Sequence, residues 1–269
     1  FHTEKRPLRD AIAFILLSVI SVCVVYPIFS FIAITFTNRY PIDMSLTLHN
    51  VVNTFRKGAG DYLLNSVVIA LFTALVGTAV SFICACFTAR TSVRASKFLH
   101  LMSILSLAVP GIVLGLSYVL FFSGSFIYGT LAILILANTV HFFSSPYLMI
   151  YNSIGKLNPN LEAVAASLGI GRFRLIKDVI LPQTKTTLAE MFSYFFINSM
   201  MTISAVAFLA NIRTKPISLM IPQFEAQMLL ESSAFVSLLI LAVNLLMKTM
   251  VYLTKRIFAK HKKTALPSD

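Results

Sequence analysis

Residues Leu161–Pro182 read LEAVAASLGIGRFRLIKDVILP, a polar, glycine-punctuated segment between two long apolar blocks. Asn158-Pro159-Asn160 before it is a turn and cap signal; Asn160 suits the N-cap, and Glu162 stands in the first turn, facing the positive helix end. Leu161, Val164, Ala165 and Leu168 recur at i, i+3, i+4 and i+7, which makes one short apolar stripe. Ala163, Ala165, Ala166 and Ser167 keep the helix slim enough to enter a groove. Gly169 and Gly171 end it, Gly169 in the left-handed position that follows a helix. Arg172 to Val179 reads as a second short basic helix, and Pro182 begins the next apolar helix, where its missing N–H is harmless. Two readings fit: an element that docks on a partner, or an interfacial helix lying on anionic lipid.

The surroundings decide where this segment lives. Of 269 residues, 57% are hydrophobic and 12% charged, with mean hydropathy +0.84. Soluble proteins carry about 25% charged residues, so this chain cannot cover a water-facing surface, and a helical membrane protein is the class that fits. Six spans of the required roughly 20 residues are expected: Ala11–Thr37, Tyr62–Ala89, Phe98–Phe122, Phe126–Tyr151, Thr184–Leu209 and Ser233–Leu253. The fold expected is therefore all-α and polytopic, a single membrane domain over 1–269 without a soluble appendage. The first span is too long in its apolar core for a cleaved signal peptide, and the chain opens on Phe1 rather than Met. Ile217, Met220, Ile221 and Phe224 recur at helical spacing and predict a short helix in the loop before the sixth span.

Charge sets the topology. Arg39, Arg56, Lys57, Arg213 and Lys215 fall on one side, and the rest of the 22 Lys and Arg on the other, among them Lys5, Arg6, Arg9, Arg90, Lys156, Arg172, Lys177, Lys260, Lys262 and Lys263. The positive-inside rule puts both termini and Leu161–Pro182 in the cytoplasm. The net charge of +12 sits at the ends of apolar blocks and not on one basic face, so no nucleic-acid partner is expected. Cys23, Cys84 and Cys86 lie inside apolar runs; Cys84 and Cys86 point to different helix faces and read as packing residues, with no metal site.

Polar residues inside the spans are candidates for function. Glu190 is the one acidic residue well inside an apolar block, with Asn198 at i+8 on about the same face and Thr202 and Ser204 beyond. Asn138 and His141 are i, i+3 in the fourth span. Each has a structural alternative. Asn138, Asn244 and Ser204 also suit hydrogen bonding between helices, His141 suits ordinary packing, and Glu190 is either a pathway residue or half of a buried ion pair. No P-loop is present: Gly155-Lys156 is followed by Leu157, and Lys57-Gly58-Ala59-Gly60 has the wrong order. The chain itself is therefore not expected to carry nucleotide chemistry of that kind.

Gly169, nine residues, Val179 and then Leu181-Pro182 resembles the Glu-Ala-Ala loop in the inner-membrane permeases of binding-protein-dependent ABC importers. Leu64-Asn65-Ser66 is similar to the entry of that family's membrane core, and Pro110-Gly111-Ile112-Val113-Leu114-Gly115 to its polyamine, ferric iron and aminoethylphosphonate branches. The likeness runs from about Leu63 to Arg256, with the loop at 158–182. It implies that Leu161–Gly171 is a cytoplasmic coupling helix between the fourth and fifth spans, docking on a separate ATPase. The family's usual Glu sits six residues before the Gly, where this chain has Ala163; Glu162 is one residue earlier, about 100° round the helix.

The same resemblance implies the assembly. The chain is expected to be a non-enzymatic transport subunit of a bacterial inner membrane, forming half of a translocation path. Two ATPase subunits carry ATP and Mg, and the chain itself has no cofactor. A second permease, homologous rather than identical, and an extracytoplasmic binding protein complete it. The substrate reading leans to 2-aminoethylphosphonate or a related phosphorylated small molecule, with ferric iron or polyamine as alternatives. A secondary transporter is the rival class; it normally needs several intramembrane charges and broken helices, where this chain offers Glu190 and the Pro110-Gly111 break.

Overall fold

The fold is taken from a computed structural model that describes residues 7–264, with side chains to residue 257. Phe1, Lys5 and Arg6 lie outside the described residues, as do the side chains of Lys260, Lys262 and Lys263. In chain order the elements are α1 (Pro7–Thr35), β1 (Thr37–Arg39), β2 (Asp43–Leu46), α2 (His49–Arg56), α3 (Ala59–Arg90), α4 (Arg94–Leu105), α5 (Gly111–Phe122), α6 (Leu131–His141), α7 (Ser144–Gly155), α8 (Leu161–Ser167), α9 (Arg172–Leu175), α10 (Leu181–Met201), α11 (Met220–Ala226) and α12 (Leu230–Thr264). A 3-10 turn at Ser106–Ala108 extends α4, another at Ile217–Leu219 leads into α11, and a π turn at Ile176–Ile180 joins α9 to α10.

Among the described residues three helices, α1, α3 and α12, are long and apolar enough to cross a membrane. Two bent pairs add up to two more: α4 with α5 at 109°, and α6 with α7 at 54°. The expected third span, Phe98–Phe122, is thus no straight rod. Pro110 has no N–H to donate and its ring crowds the carbonyl four residues back, while Val109 is extended at φ −96°, ψ 113°, as residues before proline prefer. The expected fourth span, Phe126–Tyr151, becomes helical only at Leu131 and breaks at Phe142-Phe143, where Pro146 removes the donor that would serve the Phe142 carbonyl.

The expected fifth span, Thr184–Leu209, needs the largest correction. Its helix ends at Met201, and Thr202 turns extended at ψ 137°. The following stretch is irregular and half-buried, with Ala205 and Val206 at 0% exposure while Ile203 and Phe208 stay exposed. Local bonds satisfy its backbone: Ala207 N–H donates to Ile203 O at 2.9 Å and Ala210 N–H to Val206 O at 3.0 Å. Non-helical backbone at membrane depth survives where protein covers it. The α10 helix, 21 residues with Lys185 and Glu190 inside, is not among the helices apolar enough to count as spans.

The chain divides into two compact units, Phe1–Ala59 with Met220–Leu239 and Gly60–Leu219 with Ile240–Asp269. In the first, α1 buries only Thr35, so its apolar surface is free to meet lipid or another subunit. The fold is mostly helical, as expected, with one addition among the described residues: a small antiparallel hairpin in which Thr37 pairs with Leu46 and Arg39 with Asp43. Its turn is tied by side chains that no alternating pattern announces. Asp43 accepts from Asn38 Nδ2 at 2.6 Å and from the Ser45 N–H at 3.0 Å, and these bonds hold its carboxyl below the usual range. Glu231, 6% exposed, accepts the Tyr40 N–H at 2.7 Å. The expected short helix before the last span is present: the Ile217–Leu219 turn and α11 bury Ile217, Met220 and Phe224.

The second unit has two apolar cores. Ile69, Leu114, Ile133, Leu134, Ala137, Val206 and Leu209 form one. Ala85, Tyr147, Ile150, Ile154, Ile180 and Met191 form the other. In the second core the Tyr147 hydroxyl, fully buried, meets Thr88 Oγ1 at 2.8 Å and His100 Nδ1 at 2.6 Å. That three-way bond ties α3, α4 and α7 together. It also satisfies a polar group that would otherwise be stranded in an apolar interior.

Candidate coupling helix and membrane cleft

The α8 helix forms as its sequence requires. Asn160 is at the N-cap, but its side chain makes no capping bond; instead Asn158 Oδ1 accepts the Asn160 N–H at 2.9 Å, closing the turn one residue earlier. At the far end Gly169 has φ +68°. Its N–H donates to Ala166 O at 3.1 Å and the Ile170 N–H to Ala165 O at 2.8 Å, the paired bonds of a Schellman stop. A Cβ on Gly169 would meet nothing within 4 Å, so glycine is needed there for its backbone and not for space. Gly171 plays a different part from the one expected: at φ −67°, ψ 153° it is the N-cap of α9.

The expected apolar stripe is split between two faces. Ala165 is buried against the chain, whereas Val164 and Leu168 are 54% and 68% exposed. Leu161 and Glu162 are half-buried, and Ala163, Ala166 and Ser167 face outward. The outer surface is thus a slim bed of small side chains carrying two large apolar knobs. Pro182 lies in the first turn of α10 as expected. The helical path does not start there, however, but runs from Arg172 through the π turn. A π turn just before a proline loosens the ladder where the ring would clash.

Arg90, the last residue of α3, holds α8 from behind. Its Nε and Nη2 donate to the two carboxylate oxygens of Glu162, both at 2.6 Å, and Nη2 also donates to Asn158 O at 2.9 Å. The two side chains are 10% and 33% exposed. A two-pronged, charge-assisted pair fixes orientation as well as distance. Sequence reading counted Arg90 only towards topology; the available signal was that it ends an apolar helix while Glu162 sits off the family position.

The polar residues of the spans separate into two groups. His141, Asn198 and Thr202 line one open cleft of about 590 Å³, with Ser204, Ile112 and Met201 beside them. His141 Nδ1 is buried and has no hydrogen-bond partner; Asn198 Nδ2 is spent on Tyr194 O at 2.8 Å. Gly111 is buried against two of the lining residues: a Cβ there would overlap Ser204 Oγ and come within 3.0 Å of His141 Cε1. Asn138 and Glu190 are not brought into the cleft. Asn138, 1% exposed, donates to Ser199 Oγ at 2.7 Å, a bond between α6 and α10. Glu190 forms an ion pair with Lys255 of α12, a partner that sequence reading left unnamed because it lies 65 residues away.

Long apolar helices, two proline-broken pairs and a short polar helix held off the membrane core define a multi-pass membrane protein of the permease type. The chain belongs to the family of binding-protein-dependent transport system inner membrane components, whose profile matches residues 77–260. It is 28% identical over 191 residues to the ferric transport system permease protein FbpB of Actinobacillus pleuropneumoniae, covering 67% of this chain and 27% of that protein. It is 28% identical over 219 residues to the spermidine/putrescine transport system permease protein PotC homolog of Mycoplasma pneumoniae, covering 77% and 74%. The chain therefore spans under a third of the length of the ferric permeases it matches.

In solved structures the fold matches a chain of a bacterial alginate ABC transporter in complex with an alginate-bound periplasmic protein. The TM-score is 0.75 at 15% identity, over 94% of this chain and 99% of that one. A chain of the inward-facing MetNI methionine ABC transporter matches at TM-score 0.60 and 14% identity, over 77% and 97%. Both share the ABC permease fold with this chain.

Proposed function

We propose that this chain is the membrane subunit of an ABC importer, forming half of a translocation path, and that α8 is the surface on which a separate ATPase docks. The observation that carries this reading is the way α8 is presented. Arg90 and the Schellman stop hold its inner face, while Val164 and Leu168 stand exposed on its outer one. Exposed apolar knobs on a rigidly held short helix are anchors for a groove. ATP and Mg belong to the ATPases; this chain supplies the lever. Such a lever moves the path only if the ATPases grip α8 differently in their two states.

In this reading the spans number six once α10 is included, and the side rich in Lys and Arg is cytoplasmic. A second, homologous permease closes the path, and an extracytoplasmic binding protein delivers the solute in a bacterial inner membrane. Leu161, Glu162, Ala163, Ala165, Ala166, Leu168, Gly169, Gly171 and Pro182 build the docking element. The cleft of His141, Asn198 and Thr202 is the solute-facing wall, with Asn138 and Glu190 behind it as supports. Ferric and spermidine/putrescine permeases are the relatives described above, so the ferric or polyamine reading gains support over the aminoethylphosphonate one.

Two measurements test this. ATPase subunits co-purifying with the full chain from membranes should be lost in the Val164→Glu, Leu168→Glu double variant while membrane insertion persists; retention of the ATPases by that variant overturns docking through α8. Uptake of labelled ferric iron, spermidine and 2-aminoethylphosphonate, run in parallel, assigns the solute.

A further inference from the structure

Apart from the cleft, a second cavity of about 520 Å³ opens between the last turns of α3 and the segment formed by α9 and the π turn. Phe82, Ile83 and Phe87 supply one wall, and Ile176, Ile180 and Leu181 the other. The volume lies in the range of about 300–1,000 Å³ typical of ligand sites. Walls so poor in hydrogen-bonding groups do not hold ordered water. The rim is different in character: Arg90, Thr91, Glu162, Arg172 and Lys177 meet there. Glu162 is neutralised by Arg90 at 2.6 Å. The charge left over is that of Arg172 and Lys177, both exposed and neither in an ion pair among the described residues.

We propose that this slot binds one acyl chain of an anionic phospholipid, whose phosphate lies against Arg172 and Lys177. Inside a bilayer an acyl chain entering an apolar slot leaves one hydrocarbon medium for another, so the tail alone confers little preference. Selection falls to the rim. Two cations beside the end of α3, a helix long and apolar enough to span, match an anionic headgroup, as basic pockets between membrane helices do. A second copy of this chain is a poorer complement. The freely exposed helix α1 carries one described carboxylate, Asp10, and Arg9 already pairs with it at 3.2 Å. The site stands independently of whether α8 docks an ATPase.

Native mass spectrometry of the detergent-purified full chain, offered equal phosphatidylglycerol and phosphatidylcholine, tests the proposal. The wild type should retain phosphatidylglycerol about tenfold or more over phosphatidylcholine. The Arg172→Gln, Lys177→Gln variant should bring that ratio close to one. Ile83→Trp, which fills the slot, should abolish tight retention of either lipid, with helical circular dichroism confirming that both variants are folded. Equal retention by the wild type, or a preference unchanged in the double variant, overturns the proposal. So does displacement of the bound lipid by millimolar inorganic phosphate, which would make the rim a site for free anions, or protection of the slot by a second copy in a stable dimer.

Discussion

Arg90 and Glu162 close on each other with two parallel bonds of 2.6 Å, linking the end of a membrane-spanning helix to the first turn of α8. The pair explains why this chain's acidic residue stands one position from the place its family resemblance leads one to expect. Both carboxylate oxygens point inward and are occupied, so the outer face of α8 is left to Ala163, Val164, Ala166 and Leu168. In the docking role proposed above, Glu162 would act by holding the helix still, with Arg90 as its positioning residue.

Breaking this pair should free α8 without unfolding the membrane core. Glu162→Ala leaves the Arg90 guanidinium, 10% exposed, with only backbone carbonyls to bond. A loss of about 2 kcal/mol is expected locally, or about thirtyfold in the population of the detached loop. Arg90→Lys should do nearly as much harm, because an ammonium cannot reproduce the fork. Protease cleavage within 156–171 reports the detachment. Cleavage rates equal to wild type in both variants would show that the pair holds nothing.

Gly169 makes a sharper test of the stop. With φ +68° and open space where a Cβ would go, Gly169→Asn should be nearly neutral. Gly169→Val should cost about 1–2 kcal/mol, since a β-branched residue strongly resists the left-handed region. In uptake assays the valine variant should be inserted in the membrane and inactive, and the asparagine variant active. Equal activity of the two would mean that the Schellman stop is dispensable.

At the cleft, Gly111→Ala should abolish solute transport, because the new methyl group collides with Ser204 Oγ and presses on His141. Removing the obstacle offers a control. In Gly111→Ala, Ser204→Ala one of the two clashes is relieved, and part of the activity should return. No recovery in the double variant, with the protein folded, would place the constraint on His141 alone.

The hairpin after α1 has a built-in acid limit. The bonds from Asn38 and Ser45 hold the Asp43 carboxyl below its ordinary 3.8. A depressed carboxylate pKa contributes stability at pH above the unfolded value and loses it as pH falls through the folded one. The hairpin should therefore be fully formed at neutral pH and loosen only below about pH 4. Amide exchange of Thr47, whose N–H donates to Phe36 O at 2.8 Å, follows this. Asp43→Asn should remove the acid dependence, and an unchanged profile in that variant would assign it to another group.

How far the residues announced these features depended on the range of the interactions. The start and stop of α8 were legible because the Asn-Pro-Asn turn, the alanines and Gly169 are local signals, but its capping bond and the part played by Gly171 were not. The long apolar helices were legible for the same reason. Breaks inside spans were only half legible: Pro110 marks one, but nothing local tells that the chain after Met201 buries Ala205, Val206 and Leu209 without a helix. That outcome depends on tertiary cover, as does the hairpin, whose strands are three and four residues long. The pairings at the site, Arg90 with Glu162 and Glu190 with Lys255, join residues 72 and 65 positions apart. In the sequence alone each reads as a lone charge.

Glu190 therefore permits a decision that its sequence position left open. It pairs with Lys255 across α10 and α12 and is not among the residues lining the cleft. If the pair is a support, removing one partner should be worse than removing both, because a lone charge is then left without its counter-ion between two helices. Glu190→Gln and Lys255→Met alone should each lower the amount of folded protein in the membrane, by about 1 kcal/mol in stability, since the side chains are 43% and 36% exposed. The double variant Glu190→Gln, Lys255→Met should recover both folded protein and transport. Thermal unfolding in detergent, measured beside uptake, separates the possibilities. A double variant that is as stable as wild type but transports nothing would move Glu190 from the scaffold to the solute path, because stability would then be restored while a function specific to the carboxylate stayed lost.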